Sequence, residues 1–261
     1  MKRLTPYNDA KAKRTERAYL SAEIVQQRER ILEALAPSPG EFIVDLGCGP
    51  GLLTRAIAED VGRDGTVLGL DLSGPMLGLA RARCTGIPQL TLAAADAARL
   101  PVASGVADAV TAIQVLLYVE RPQTAIAEMR RILRPGGRVV IVETDWQTAV
   151  VTAEDAALTR RMFDGWDRAV ASPRLPQRLL PMLRDAGFDS VRVRAVPVLS
   201  TRYDAAGYAG SMIAQCAAAA VSAGRTTEQE ARDWRAGIEQ RAEAGAFLFC
   251  VTRFLFTAEC R

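Results

Sequence analysis

The sequence predicts an α/β fold: seven strands in a mostly parallel sheet, helices on both faces, and further helices over its carboxyl edge. Three observations predict it. Strand-like and helix-like stretches alternate through residues 40–145, the order that builds strand–helix–strand units. The strand-like stretches are almost continuously apolar, as strands buried on both faces must be. Four of them carry a polar residue at the carboxyl end, Asp45, Asp71, Asp96 and Gln114, where open α/β sheets bind ligands.

Bulk properties narrow the function. The 261 residues suit one domain with helical additions, and 49% hydrophobic residues can fill its core. A net charge of +3 without a basic stripe gives no reason to expect a nucleic-acid partner. No apolar run approaches the roughly 20 residues that span a bilayer. Met1-Lys2-Arg3-Leu4-Thr5-Pro6 has no apolar stretch behind it, so a secretory signal is not expected. The five cysteines, at 48, 84, 216, 250 and 260, form no C-x-x-C pair. Reduced thiols, a cytoplasmic location and no metal are the expectation. The chain has no histidine, which removes the Ser-His-Asp triad and the imidazole base. Acid–base chemistry must then use Asp, Glu, Tyr, Lys, Cys or water.

The elements follow in order. Tyr19, Ile24, Ile31, Leu32 and Leu35 fall at helical spacing, predicting one or two helices before Pro37-Ser38-Pro39-Gly40. Phe42-Ile43-Val44 then leads into Asp45-Leu46-Gly47-Cys48-Gly49-Pro50-Gly51, and a helix starts at Leu52. Glycines at alternate positions permit a tight turn and leave no Cβ in a ligand's way. The N–H groups of the next helix can face a polar or anionic group. A dinucleotide fingerprint needs G-x-G-x-x-G; here the third glycine comes one residue early and Leu52 fills its place.

Residues 65–71 form the second strand, ending at Asp71, which lies 20 residues after Gly51 and can accept from two ribose hydroxyls. Residues 90–94 form the third and 107–113 the fourth. An amphipathic helix over 123–133 buries Ile126, Met129, Ile132 and Leu133. Arg134-Pro135-Gly136-Gly137 stops it, and Arg138 to Glu143 is the fifth strand. Beyond it, 179–186 is a helix closed by Gly187, 188–196 alternates as a strand, 203–223 and 227–242 are helical, and 247–258 is a closing strand. Thr226 or Thr227 caps the last helix in a capping box with the glutamates that follow.

Asp45-x-Gly47-x-Gly49-x-Gly51 resembles motif I of the class I S-adenosylmethionine-dependent methyltransferases. Asp96-Ala97 matches the family's acid–alanine step, and Arg99-Leu100-Pro101-Val102 resembles the segment that follows it. Arg131-Ile132-Leu133-Arg134-Pro135-Gly136-Gly137 is typical of the branch that includes the ubiquinone and menaquinone methyltransferases. The resemblance is specific over residues 40–145. It implies a Rossmann-like fold, a single domain over 1–261 and S-adenosylmethionine as cofactor, with S-adenosylhomocysteine as product. It divides the chain into a helical lid (1–36), a cofactor-binding core (40–145) and helical acceptor-side additions (144–187 and 203–243).

The cofactor residues that it implies are Asp45, Gly47, Gly49, Gly51, Thr54, Asp71, Leu72, Met76, Asp96, Ala97 and Gln114. Met76 either packs on adenine or fills the core. Tyr7, Tyr19 and Arg28 are either lid contacts or part of a helix packed on the sheet. Tyr118 faces the acceptor or only caps the next helix; with Asp145 and Glu143 it is a candidate base. Tyr19, Trp146, Trp166, Arg174 and Tyr203, with Tyr208 and Phe247, suit a flat or greasy acceptor or are core. Asp145 and Arg174 can equally form structural salt bridges.

The function implied is methyl transfer to carbon, oxygen or nitrogen of a small, aromatic or hydrophobic metabolite, by a monomer or homodimer. The alternatives are a cyclase-like enzyme that binds the cofactor without methylating, and a non-catalytic binding module. Scattered cysteines disfavour arsenite methylation. No Asn-Pro-Pro-Tyr-like step follows the fourth strand, which disfavours methylation of a flipped base.

Overall fold

In the computed structural model, which describes residues 8–261, all seven expected strands form and a short eighth joins them. The strands are β1 (Phe42–Leu46), β2 (Thr66–Asp71), β3 (Leu90–Ala94), β4 (Ala107–Ile113), β5 (Leu133–Thr144), β6 (Val150–Val151), β7 (Phe188–Ser200) and β8 (Phe249–Cys260). The count of seven is therefore corrected to eight. β6 is two residues long, too short for any periodicity to announce it.

Strands β3-β2-β1-β4-β5 are parallel neighbours. β8 runs antiparallel to β5 and, along its other edge, antiparallel to β7. Just beyond the end of β5, β6 pairs with Phe249 and Cys250 of β8.

The helices are α1 (Asp9–Tyr19), α2 (Ala22–Leu35), α3 (Leu52–Val61), α4 (Gly74–Arg83), α5 (Pro122–Ile132), α6 (Ala156–Asp167), α7 (Pro176–Asp185), α8 (Tyr208–Ser222) and α9 (Glu228–Glu243). Successive strand residues point to opposite faces, and each face has its own core. Val44, Leu46, Val110, Ala112, Val139 and Ile141 pack toward α5 and α7. Ile43, Val67, Ala109, Val140 and Val142 pack toward Ile31 and Leu35 of α2 and Ile57 and Val61 of α3. A third core of α6, α8 and α9 closes on Trp146, Phe249 and Val251. Those are the helical additions at the carboxyl edge. The capping box of α9 uses Thr227 and Glu230. Among the described residues no helix is long and apolar enough to cross a membrane.

The described part of the N-terminal segment is tied down at several points. Glu16 of α1 pairs with Arg83 of α4 at 2.5 Å, and Arg83 Nε also donates to the Pro50 carbonyl at 2.9 Å. Arg28 donates to the carbonyl of Tyr19 at 2.8 Å, which holds the α1–α2 corner. Glu23 accepts from Ser200 at 2.5 Å. Tyr7, the other expected lid contact, lies outside the described residues.

Candidate active site

The glycine loop hangs from the end of β2. The N–H groups of Gly47 and Cys48 both donate to the Leu70 carbonyl, at 2.6 and 2.9 Å. Gly47 and Gly51 have φ of 70° and 77°, in the left-handed region that side chains resist. At Gly51 a Cβ would also come within 3.1 Å of Ala80 of α4. Asp45 sits beneath this loop and is buried. Its two carboxylate oxygens accept from Thr54 and Thr111, each at 2.6 Å. Burial pushes its carboxyl up to about 6, against the pull of the two hydroxyls. Thr54 is fully buried as well. Both residues were expected at the cofactor. The structure corrects this: their side chains join β1, β4 and α3 beneath the loop and present nothing to a ligand.

Asp71 faces the loop from the end of β2. One oxygen accepts from Gly49 N–H at 2.9 Å and the other from Ser73 N–H at 2.7 Å. Burial holds its carboxyl above the usual range, and those backbone donors pull it back. A carboxylate has about four acceptor positions, so two remain for a diol. Leu72, next in the chain, is 75% exposed, whereas Met76 is 3% exposed. Met76, Leu77 and Ala80 are the buried residues of α4. Asp96 is exposed and accepts from Ala98 N–H at 2.9 Å, with Ala97 buried behind it. Gln114 closes β4 with φ 56°. Its amide donates to the Val142 carbonyl at 3.1 Å and accepts from Thr144 at 2.6 Å. An open Gly49, a diol acceptor and an exposed apolar side chain at adjoining strand ends fit a nucleoside-bearing cofactor.

Beside Gln114 a narrow cleft runs between the lid and the helical additions. Thr15, Ala18 and Tyr19 of α1 line it, with Leu117 and the half-exposed Tyr118. Trp146 and Trp166 line it too, with ring centroids 5.8 Å apart. Tyr208, Ser211, Met212 and Gln215 of α8 complete it, together with Arg253 of β8. Of the expected acceptor residues, the cleft brings together Tyr19, Tyr118, Trp146 and Trp166. The sequence reading missed Arg253, Ser211, Met212 and Gln215. The available signals were an arginine inside an otherwise apolar closing strand, and non-alanine residues one helical turn apart on an alanine-rich helix.

Three expected residues lie elsewhere. Asp145 is buried; it accepts from Gln147 N–H at 3.0 Å and from Gln177 Nε2 at 2.7 Å. One oxygen caps the turn that follows β5 and the other ties that turn to Gln177 of α7. Arg174 pairs with the buried Asp167 at 3.5 Å, a structural bridge between α6 and α7. Tyr203 donates to Glu239 of α9 at 2.9 Å, and burial together with that carboxylate pushes its phenol up to about 12. Its ring packs on Phe247, 5.3 Å away, and neither residue lines the cleft.

Glu143 is fully buried. One oxygen accepts from the N–H groups of Val115 and Leu116 at 3.0 and 2.7 Å, fixing the turn that carries Tyr118. Burial pushes its carboxyl up to about 8 despite those bonds. A raised folded-state pKa favours the fold below the unfolded value and is lost as pH climbs through the folded one. Glu143 therefore costs stability as pH rises from about 4.5 toward about 8. Glu143→Gln keeps an oxygen for the two N–H groups but cannot ionise. In thermal melts the two proteins should be alike near about pH 5, with the variant ahead near about pH 9 by on the order of 3 kcal/mol. Parallel curves across that range would contradict a raised Glu143.

Comparison with known proteins decides what this geometry belongs to. A model described as "Methyltransferase domain" matches residues 44–141. The 2-phytyl-1,4-naphtoquinone methyltransferase of Thermosynechococcus vestitus is 34% identical over 175 residues, which cover 61% of this chain and 76% of that protein. The chain belongs to the class I S-adenosylmethionine-dependent methyltransferases. S-adenosylmethionine is therefore the cofactor of this methyltransferase. An uncharacterized 37.1 kDa protein in transposon TN4556 of Streptomyces fradiae is 33% identical to the methyltransferase over 231 residues, and the match spans 88% of this chain but 65% of that protein. The crystal structure of the [4+2]-cyclase SpnF superposes on the methyltransferase with a TM-score of 0.56 at 22% identity, covering 90% of this chain and 80% of the other. That likeness shows the shared fold.

Proposed function

We propose that this methyltransferase transfers the methyl group of S-adenosylmethionine to a small, flat, apolar acceptor held in the aromatic cleft. One observation carries the reading: the Trp146–Trp166 cleft opens beside Gln114, at the carboxyl end of the strand next to the glycine-loop strand. The quinone-type relative is named for a flat bicyclic acceptor, and such a ring suits this lining. When bound, the cofactor supplies an electrophilic methyl group on a good leaving group.

The chain's own residues have three tasks. Asp71, Leu72, Asp96 and the glycine loop bind the nucleoside end. The paired tryptophans and Tyr208 exclude water and fix the plane of the acceptor, and such positioning can supply several kcal/mol. Tyr118, at the mouth, orients the accepting group through its hydroxyl. A cytoplasmic setting fits the five free thiols.

The test is incubation with methyl-labelled S-adenosylmethionine and a panel of hydroxylated naphthalenes and other flat acceptors, read by mass spectrometry. One labelled methyl on a product supports the reading. An acceptor converted without label or cofactor consumption would establish the cyclase-like alternative instead. With an acceptor in hand, Tyr118→Phe should lower kcat/KM about tenfold, the worth of one hydrogen bond of about 1.4 kcal/mol. Asp145→Asn should stay within about twofold, since its carboxylate faces α7 rather than the cleft. The reverse order of effects would restore Asp145 as the candidate base.

A further inference from the structure

Of the buried side-chain polar atoms without partners, two belong to residues that line the cleft, and a third, Glu143 Oε2, belongs to the carboxyl group that feels the Arg253 charge. The Trp166 indole N–H has no hydrogen-bond partner, although the residue is 4% exposed. Arg253 is 3% exposed and its Nε is equally without a partner. Both residues line the cleft. The other contacts of the Arg253 guanidinium are neutral: one nitrogen donates to the Gln27 side chain, and the group lies 4.8 Å over the Tyr208 ring.

A buried cation is costly unless its charge and donors are met. No side chain lining the cleft is acidic, and Arg253 is the one lining residue with a full charge. The amides that might compete for a ligand are already engaged. Gln114 binds Val142 and Thr144, and Gln215 binds Ser211. Glu143 is the carboxyl group that feels the Arg253 charge, and burial pushes that carboxyl up to about 8.

We propose that the cleft is built for an acceptor carrying an anionic oxygen on a flat ring, such as a carboxylate or phenolate, bound by the Arg253 guanidinium and the Trp166 indole N–H. The planar guanidinium matches an oxyanion in the plane of a ring, and the aromatic walls match the ring. The two donors also stabilise the ionised form of a hydroxyl group, so the protein need not supply a strong base. This rests on the reading of the cleft as the acceptor site.

The experiment measures binding of three probes to the full chain saturated with S-adenosylhomocysteine: 2-naphthoate, its neutral carboxamide and 2-naphthylmethylammonium. The carboxylate should bind at least about tenfold tighter than the carboxamide, with the ammonium weakest. Arg253→Met should erase that preference, and Trp166→Phe should reduce it at least about threefold. S-adenosylhomocysteine affinity and thermal melts report whether each variant is folded. If Arg253→Met fails to fold, Arg253→Lys, which keeps the charge but loses the fork, should still cut the preference about threefold. Equal binding of the probes, no binding of the carboxylate, preference for the ammonium, or an unchanged preference in the folded variants would overturn the proposal. If the wild-type protein does not bind S-adenosylhomocysteine, the methyltransferase reading fails first. If it binds but the probes are not discriminated, only the oxyanion proposal fails.

Discussion

Asp71→Ala should weaken S-adenosylhomocysteine binding at least about a hundredfold in calorimetric titration. The carboxylate contributes twice. Its two free acceptor positions suit the ribose diol, and hydrogen bonds to a charged group are worth about 1.5–3 kcal/mol each. It also clamps Gly49 N–H and Ser73 N–H, so its removal frees the loop that must meet the cofactor. About 3 kcal/mol lost corresponds to the hundredfold effect. Asp71→Asn retains an acceptor oxygen and should fall between. Asp96→Ala should cost less, because Asp96 is exposed and holds only the Ala98 N–H. Binding within about threefold of wild type in a folded Asp71→Ala protein would remove Asp71 from the cofactor site.

Gly165→Ala should strike the opposite half of the molecule. A Cβ at this position would lie 2.3 Å from the Cα and 2.6 Å from the backbone nitrogen of Ala220. Backbone cannot rotate aside as a side chain can, so α6 and α8 must move apart. Overpacking of this kind costs about 3 kcal/mol, or roughly 10 °C in melting temperature for a chain of this size. The neighbour Trp166 and the α8 residues Tyr208 and Met212 face each other across the cleft, so acceptor binding should fall with stability. S-adenosylhomocysteine affinity at a temperature where the variant is folded should be preserved, because the glycine loop and Asp71 lie in the sheet half. A melt within about 1 °C of wild type would mean that the helices are not in contact at Gly165.

The contrast between these variants mirrors what the sequence disclosed. The cofactor half was legible because its signals are local. Gly47, Gly49 and Gly51 occupy alternate turn positions, and Asp71 ends an apolar run that both faces of the sheet bury. Even there, direction escaped detection. Asp45 stands beside the loop in sequence, yet strand geometry turns it toward Thr111, a partner 66 residues away. The acceptor half is assembled from distant segments. Whether Tyr203 reaches the cleft or Glu239 depends on how α9 lies against the loop before α8, and nothing near Tyr203 encodes that. Arg174 forms the kind of structural salt bridge that its sequence allowed, whereas Asp145 forms none and is held by neutral donors, Gln147 N–H and Gln177 Nε2. Arg253 carries no local signal of its own, since a single charge in a strand usually marks a solvent-facing position. Here the sheet faces a helical cap on that side, and the charge is enclosed.

The position of β8 also governs the order in which the molecule can be built. It follows β7 in the chain but lies between β5 and β7 in the sheet. A chain assembled only as far as β7 therefore has two bare strand edges facing an empty slot. Such edges invite pairing with other molecules, and they persist until the missing strand inserts. Insertion closes the sheet and, through Phe249, Val251 and Arg253, completes the floor of the helical cap. The aromatic cleft, which Arg253 of β8 lines, is complete only after this closing step. Competence to hold an acceptor thus reports that the whole sheet has been correctly threaded.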